Sequence, residues 1–255
     1  MSSAVIAFLA CVVFVTSMIS GTFGMAGGMI LMAVMLTLLP VAAAVTLQSS
    51  IQLVSNSYRC FLWRKHIVWH VLPWYLAGIA AGFALMLAVQ FVPDKNLAFI
   101  MMGSVPLLTM ACGKYLRLHI ENPYHSFPAA TLLTFVHMTA GVVGPLVDLL
   151  YVNAALTRQQ IISTKAFTQA LMHIVRLAYF GALIPLLTGQ GGWPEELSLL
   201  WLQLLLGASI AGTSAAAWFV HRMQDHQFKF LSKILIVCIS LYCLFRGIGG
   251  YFMLY

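Results

Sequence analysis

Residues 21–28 read GTFGMAGG. They interrupt an apolar run, with AVIAFLACVVFVTSMIS (4–20) before them and MILMAVMLTLL (29–39) after. An unbroken membrane helix has no use for four glycines in eight residues, since each weakens a helix interior by roughly 0.5–1 kcal/mol relative to alanine. A break in the bilayer frees N–H and C=O groups that lipid cannot satisfy, so it must face protein, water or a ligand. The helix that restarts after it aims free N–H groups and a partial positive charge at the gap. That is the composition of an anion site. The stretch therefore predicts a helix broken inside the membrane.

Composition agrees with a membrane setting. Of 255 residues, 62% are hydrophobic and only 7% charged, too few to solvate a soluble surface. Apolar segments are expected at 4–20, 28–39, 43–62, 69–92 and 97–113, then 127–140, 145–156, 161–187, 197–220 and 230–253. Most are long enough to cross about 30 Å of hydrocarbon. None shows the alternation of a barrel strand, so the expected fold is an all-α polytopic membrane protein forming a single membrane domain over 1–255. The first segment has no basic residue before it and no small-residue cleavage site, and reads as a retained helix. The five cysteines have no CxxC spacing and read as small buried hydrophobes, not as a metal or redox centre. A net charge of +7 would suggest nucleic acid in a soluble chain; here it reads as topology, because basic residues gather in cytoplasmic loops.

The chain also matches itself. An offset of 117 residues lays Gly24 on Gly141 and Gly27 on Gly144, and Thr22 on Thr139. It also lays Gln52 on Gln169 and Arg59 on Arg176. Further on, the register slips by 13 and lays Gly82 on Gly212, with the insert TGQGGWPEE (188–196) taking up the slip. Two repeats are expected, 1–120 and 121–255, each with about five membrane segments and a short segment (28–39 or 145–156) after its glycine break. Five crossings per half put Arg59, Arg64, Lys65, Lys114, Arg117, Arg158, Arg222, Lys229 and Lys233 on one face. By the positive-inside rule that face is cytoplasmic. An odd number of crossings inverts the second half relative to the first, the architecture of secondary transporters.

Polar residues inside the membrane are the candidate site. TLQSSIQLVSNSYR (46–59) places Gln48, Gln52, Ser55 and Arg59 on one helix face, with Asn56 alongside; STKAFTQALMHIVR (163–176) does the same for Lys165, Gln169, His173 and Arg176, with Thr164 alongside. Such stripes suit a hydrated path for a small oxyanion, amides taking its oxygens and cations attracting it. Gly24, Gly27, Gly28, Gly141 and Gly144 are expected to bring backbone N–H groups to the same anion. The plainer readings are interhelical hydrogen bonding for the stripes and close helix packing for the glycines, above all for Gly78 and Gly82. Asp148 and His137 are candidates for proton coupling, and Asp148 serves equally as a capping group.

GMAGGMILM (24–32), the Thr/Ser/Gln stretch about twenty residues on, and the degenerate second copy GVVGPLVD…STKAFTQ resemble the TauE/SafE family of sulfite and sulfonate permeases over nearly the whole chain. Members often have a denser glycine cluster where Ala26 stands. The resemblance implies transport of a small anion, such as sulfite, sulfoacetate or a related compound, across the bacterial inner membrane. The expected mode is alternating access with ion or proton coupling, with no cofactor; the partners are the anion and the lipid bilayer, and not nucleic acid. One alternative is an anion channel of the same architecture. A minor one is an intramembrane enzyme using Ser209 and His221, but those residues lie about 18 Å apart along one helix, beyond the reach of a nucleophile–base pair.

Overall fold

The computed structural model describes residues 3–23, 26–116, 118–141, 144–151, 154–188, 192–194, 197–220 and 225–252. Among these residues there is no strand, and the fold is all α. The helices are α1 (Ser3–Phe23), α2 (Ala26–Leu38), α3 (Val41–Leu62), α4 (Leu72–Val89), α5 (Lys95–Cys112) and α6 (Pro123–Ala140). They continue with α7 (Gly144–Tyr151), α8 (Arg158–Ala178), α9 (Ile184–Thr188), α10 (Leu199–Val220) and α11 (Asp225–Phe252). A π-helical turn, Tyr179–Leu183, joins α8 to α9. Six helices among the described residues are long and apolar enough to cross a membrane, and α2 is a shorter apolar helix of 13 residues.

Lipid-facing chemistry dominates the exterior: Phe8, Trp74, Leu132, Leu204 and Phe245 are all exposed. The interior holds two apolar clusters. One gathers Leu9 and Val13 of α1 with Met32, Met35 and Leu36 of α2 and Leu47 and Ile51 of α3. The other gathers Tyr75 and Ile79 of α4 with Leu133 of α6, Val147 and Leu150 of α7, and Met172 of α8. Helices α3 and α8 turn their polar faces inward, burying Gln48, Gln52 and Asn56 on one and Thr164, Gln169, His173 and Arg176 on the other.

Four helix pairs make the most extensive contacts: α1 with α10, α4 with α6, α5 with α11, and α3 with α8. Glycine permits several of these approaches. A Cβ on Gly82 of α4 would stand 2.6 Å from Thr131 O and 2.7 Å from Thr134 Cβ of α6, and one on Gly212 of α10 would run into Phe14 O and Ser17 of α1. Phe14 and Ser17 lie 117 residues before Thr131 and Thr134. Gly78 and Gly82 are therefore helix-packing residues, the plainer of their two readings. Helices α3 and α8 run antiparallel. Gln48, early in α3, bonds Arg176, late in α8, whereas Val68 N, beyond the end of α3, donates to Thr164 Oγ1 near the start of α8 at 3.1 Å.

The ends of α8 are fixed from both sides. Thr157 and Gln160 form a reciprocal capping box at its start. At its other end, Tyr179 OH donates to Phe91 O at 3.2 Å, tying the π turn to the segment after α4. Asp94 Oδ1 accepts from Asn96 N and Leu97 N at 2.9 Å and so opens α5, while Tyr251 OH of α11 donates to the same carboxylate.

Candidate functional site

The α3–α8 seam buries a cation inside the helix bundle, against the Gln48 amide and the end of α6. Arg176 is 0% exposed. Its Nη1 donates to Gln48 Oε1 at 2.9 Å, and its Nε and Nη2 have no hydrogen-bond partner among the described residues. Gly141 ends α6 in the left-handed region at φ 72°, and its N–H donates to His137 O at 2.9 Å. A Cβ there would stand 2.6 Å from Arg176 Nη2 and 3.0 Å from Nη1. Glycine thus serves twice: it accepts the positive φ, and it lets the guanidinium lie flat against the helix end.

On the other flank stands Gly28. A Cβ on it would collide with Gln52 Nε2 and lie 3.9 Å from Gln48 Nε2. A continuous run of contacts therefore leads from Gly28 through the amides of Gln52 and Gln48 to Arg176 and on to Gly141. Gly28 and Gly141 thus flank one polar cluster. His137 of α6 and His173 of α8 pack edge to face beside it, ring centroids 4.7 Å apart, with both rings buried. Both nitrogens of His137 and Nδ1 of His173 have no hydrogen-bond partner among the described residues. Asn56 Nδ2 donates to Gln52 O at 2.8 Å, bracing that turn of α3, and Asn56 Oδ1 is left without a partner.

The other expected site residues take the following places. Gly27, next to Gly28 but rotated about 100° around the helix, faces α1; a Cβ there would collide with Thr16 O and stand 2.7 Å from Ser20 N. It serves the α1–α2 contact, on a different face of α2 from Gly28. Lys165 is salt-bridged to Asp148, a candidate for coupling, with the two side chains 12% and 31% exposed. Thr164 is occupied by the Val68 N–H. Gln169 is buried on the inner face of α8, and Gly144 is buried at the first position of α7. Gly24 lies outside the described residues.

The remaining polar stripe is structural. Ser55 and Thr213 hydroxyls are 2.8 Å apart, Ser17 Oγ donates to Ser209 Oγ at 3.2 Å, and Ser209 Oγ donates to Ile51 O at 3.3 Å. These bonds join α1, α3 and α10, as hydroxyls commonly do between membrane helices. Ser209 is thus engaged in interhelical bonding, and His221 lies outside the described residues. Among the described residues no group of three or more His, Cys, Asp or Glu is placed to hold a metal ion.

The buried amide–guanidinium cluster lies inside a helical bundle that has several helices of membrane-crossing length and apolarity. The sulfite exporter TauE/SafE family model matches residues 9–243. The chain belongs to that family. Nothing among the curated proteins or the solved structures matches it. Membership makes it a membrane transport protein of a family of sulfite and anion permeases, in keeping with its six long apolar helices.

Arg176 lies on the expected polar face of α8, and its partner Gln48 lies 128 residues away, a contact that spacing along one helix does not show. The alignment of Arg176 with Arg59 at the 117-residue offset is a signal in the sequence that singles it out.

Proposed function

We propose that this TauE/SafE protein carries a small sulfur oxyanion, sulfite or a sulfonate, across the bacterial inner membrane by alternating access around Arg176. The observation that carries the reading is a fully buried guanidinium with two nitrogens unpartnered among the described residues and an amide oxygen, not a carboxylate, on the third. A buried cation without a counter-ion is costly, by several kcal/mol after relaxation. A bound anion removes that cost. Planar N–H donors suit the oxygens of a tetrahedral or pyramidal anion, and the Gln48 and Gln52 amides supply further donors.

Two inverted repeats, about 1–120 and 121–255, underlie the mechanism. Supporting this are the antiparallel α3–α8 pair, whose members correspond at the 117-residue offset, and the matched glycine contacts of Gly82 and Gly212. Rocking one repeat against the other would expose the cluster to each side in turn. Coupling by protons is assigned to Asp148, which pairs with Lys165 of α8, and to His137 and His173, which pack together beside the cluster.

The test is flux in proteoliposomes containing sulfite, sulfate, thiosulfate, sulfoacetate or acetate, with and without a pH gradient. The expected outcome is saturable sulfite or sulfonate flux, driven uphill by the gradient and lost in Arg176→Gln. Flux that only runs downhill marks an anion channel. Undiminished flux in a folded Arg176→Gln protein refutes the site.

A further inference from the structure

A second guanidinium stands in the same condition at the other end of α3. Arg59 lies in the last turn of that helix and is only 7% exposed. Its Nε and Nη2 have no hydrogen-bond partner among the described residues. It is no headgroup anchor. Arg64, five residues on, behaves as one: it is exposed, lies 4.5 Å over the Phe61 ring, and donates to Phe61 O at 3.0 Å. Arg59 is instead folded into the bundle, where an unpaired charge is least tolerable.

The repeat explains what Arg59 lacks. The 117-residue offset that lays Arg59 on Arg176 also lays Gln48 on Lys165. In one copy Gln48 offers its amide oxygen to Arg176 across the antiparallel pair. At the equivalent place in the other copy stands a lysine, which has no acceptor to offer a guanidinium and is itself engaged with Asp148. Lys165 and Asp148 neutralise one another, so the field of Arg59 is left uncancelled. From Gln48, where Arg176 binds, to Arg59 is eleven residues of helix, about 16 Å at 1.5 Å per residue. That is roughly half the hydrocarbon thickness, too far for one small oxyanion to touch both guanidinium groups.

We propose that Arg59 forms a second anion subsite for the same small oxyanion, which passes between the Arg176 cluster and Arg59 as the carrier opens to one face and then the other. The proposal rests on the anion-site reading of Arg176. Each guanidinium lies near one end of the α3–α8 pair, so Arg59 extends the path from the alternating Arg176 cluster toward one face.

The experiment titrates sulfite into the purified full-length chain in nanodiscs by calorimetry, alongside proteoliposome flux and melting temperature, for wild type, Arg59→Gln, Arg59→Lys and Arg176→Gln. Expected is saturation at two sulfites per wild-type chain and one in each glutamine variant. Flux should fall at least tenfold in Arg59→Gln, with partial recovery in Arg59→Lys, which keeps the charge. Saturation of the wild type at one sulfite, with binding lost in Arg176→Gln and flux unchanged in Arg59→Gln, overturns the second subsite and leaves the first standing. A wild type that binds no sulfite overturns both. Should Arg59→Gln fail to fold, the wild-type stoichiometry decides alone: one sulfite per chain refutes the proposal.

Discussion

Gly27 and Gly28 are neighbours in sequence and opposites in space, so one methyl group at each should have opposite consequences. In Gly27→Ala the new Cβ meets the α1 backbone at Thr16 O and Ser20 N, which cannot swing aside. Overpacking of this kind costs roughly 1–3 kcal/mol. Better helix propensity returns up to about 1 kcal/mol, leaving a net loss of about 2 kcal/mol when the obstruction is backbone. For a chain of this size that lowers the melting temperature by roughly 4–8 °C, at about 2–4 °C per kcal/mol. Sulfite affinity of the folded fraction should not change, because Gly27 does not touch the cluster.

In Gly28→Ala the new Cβ takes the place of the Gln52 amide nitrogen, the end of a flexible side chain. The side chain rotates away, so the melting temperature should stay within a degree or two of wild type. The cluster, however, loses its geometry. Each hydrogen bond lost to a charged ligand is worth about 1.5–3 kcal/mol, a roughly 10- to 150-fold weakening per bond. Thermal unfolding and sulfite titration on the same preparations separate the two effects. If Gly28→Ala destabilises as Gly27→Ala does and binds sulfite normally, the amides of Gln48 and Gln52 are not at the anion and the site assignment is wrong.

Gly141→Ala forces a Cβ into a left-handed position, at about 1–2 kcal/mol, and against Arg176; flux should be lost, with Gly141→Asn milder in stability and equally inactive. Gln52→Leu and Gln169→Leu should each slow transport in a folded protein, and unchanged flux in both removes the amides from the path. Ser209→Ala deletes a bond between α10 and α3, of the kind averaging about 0.6 kcal/mol in membranes; stability should fall slightly and flux persist, whereas abolished activity at normal stability would revive a catalytic serine. Tags at both termini should be reached from outside the cytoplasm, and a cytoplasmic terminus contradicts five crossings per half.

Much of the fold is written in hydropathy, because lipid imposes helix length directly. The expected segments 28–39 and 43–62 correspond to α2 and α3. Helix α6 starts four residues before the expected segment 127–140: Asn122 caps it by accepting from Tyr124 N, with Pro123 in the first turn, and that polar opening does not register as apolar chain. The single expected segment 161–187 is divided by a π turn, a change of hydrogen-bond register that composition does not encode. At the site, residue type marked Gln48 and Gln52, since amides are rare in membranes. It did not distinguish Gly27 from Gly28, because their roles depend on which neighbour each 100° step presents. Nor does residue type show that Lys165, an expected anion ligand, pairs with Asp148.

The choice of an amide partner for Arg176 bears on how occupancy drives the cycle. A carboxylate at Gln48 would neutralise the guanidinium permanently and leave an anion little to gain by binding. The amide holds Nη1 in place through a charge-assisted bond and leaves the charge uncancelled. If Arg176 binds the anion as proposed, the empty carrier bears the cost of an unpaired buried cation, and the loaded carrier does not. Passage of the cluster through the closed, driest intermediate is therefore more costly without the anion than with it. A ligand shifts a conformational equilibrium only by its differential affinity for the two states, and here that difference comes from desolvating one guanidinium. On this reading Gln48→Glu should fold well, its buried pair being satisfied, yet bind sulfite at least tenfold more weakly. A Gln48→Glu protein that transports sulfite at the wild-type rate would show that the charge of Arg176 is not what the anion answers to.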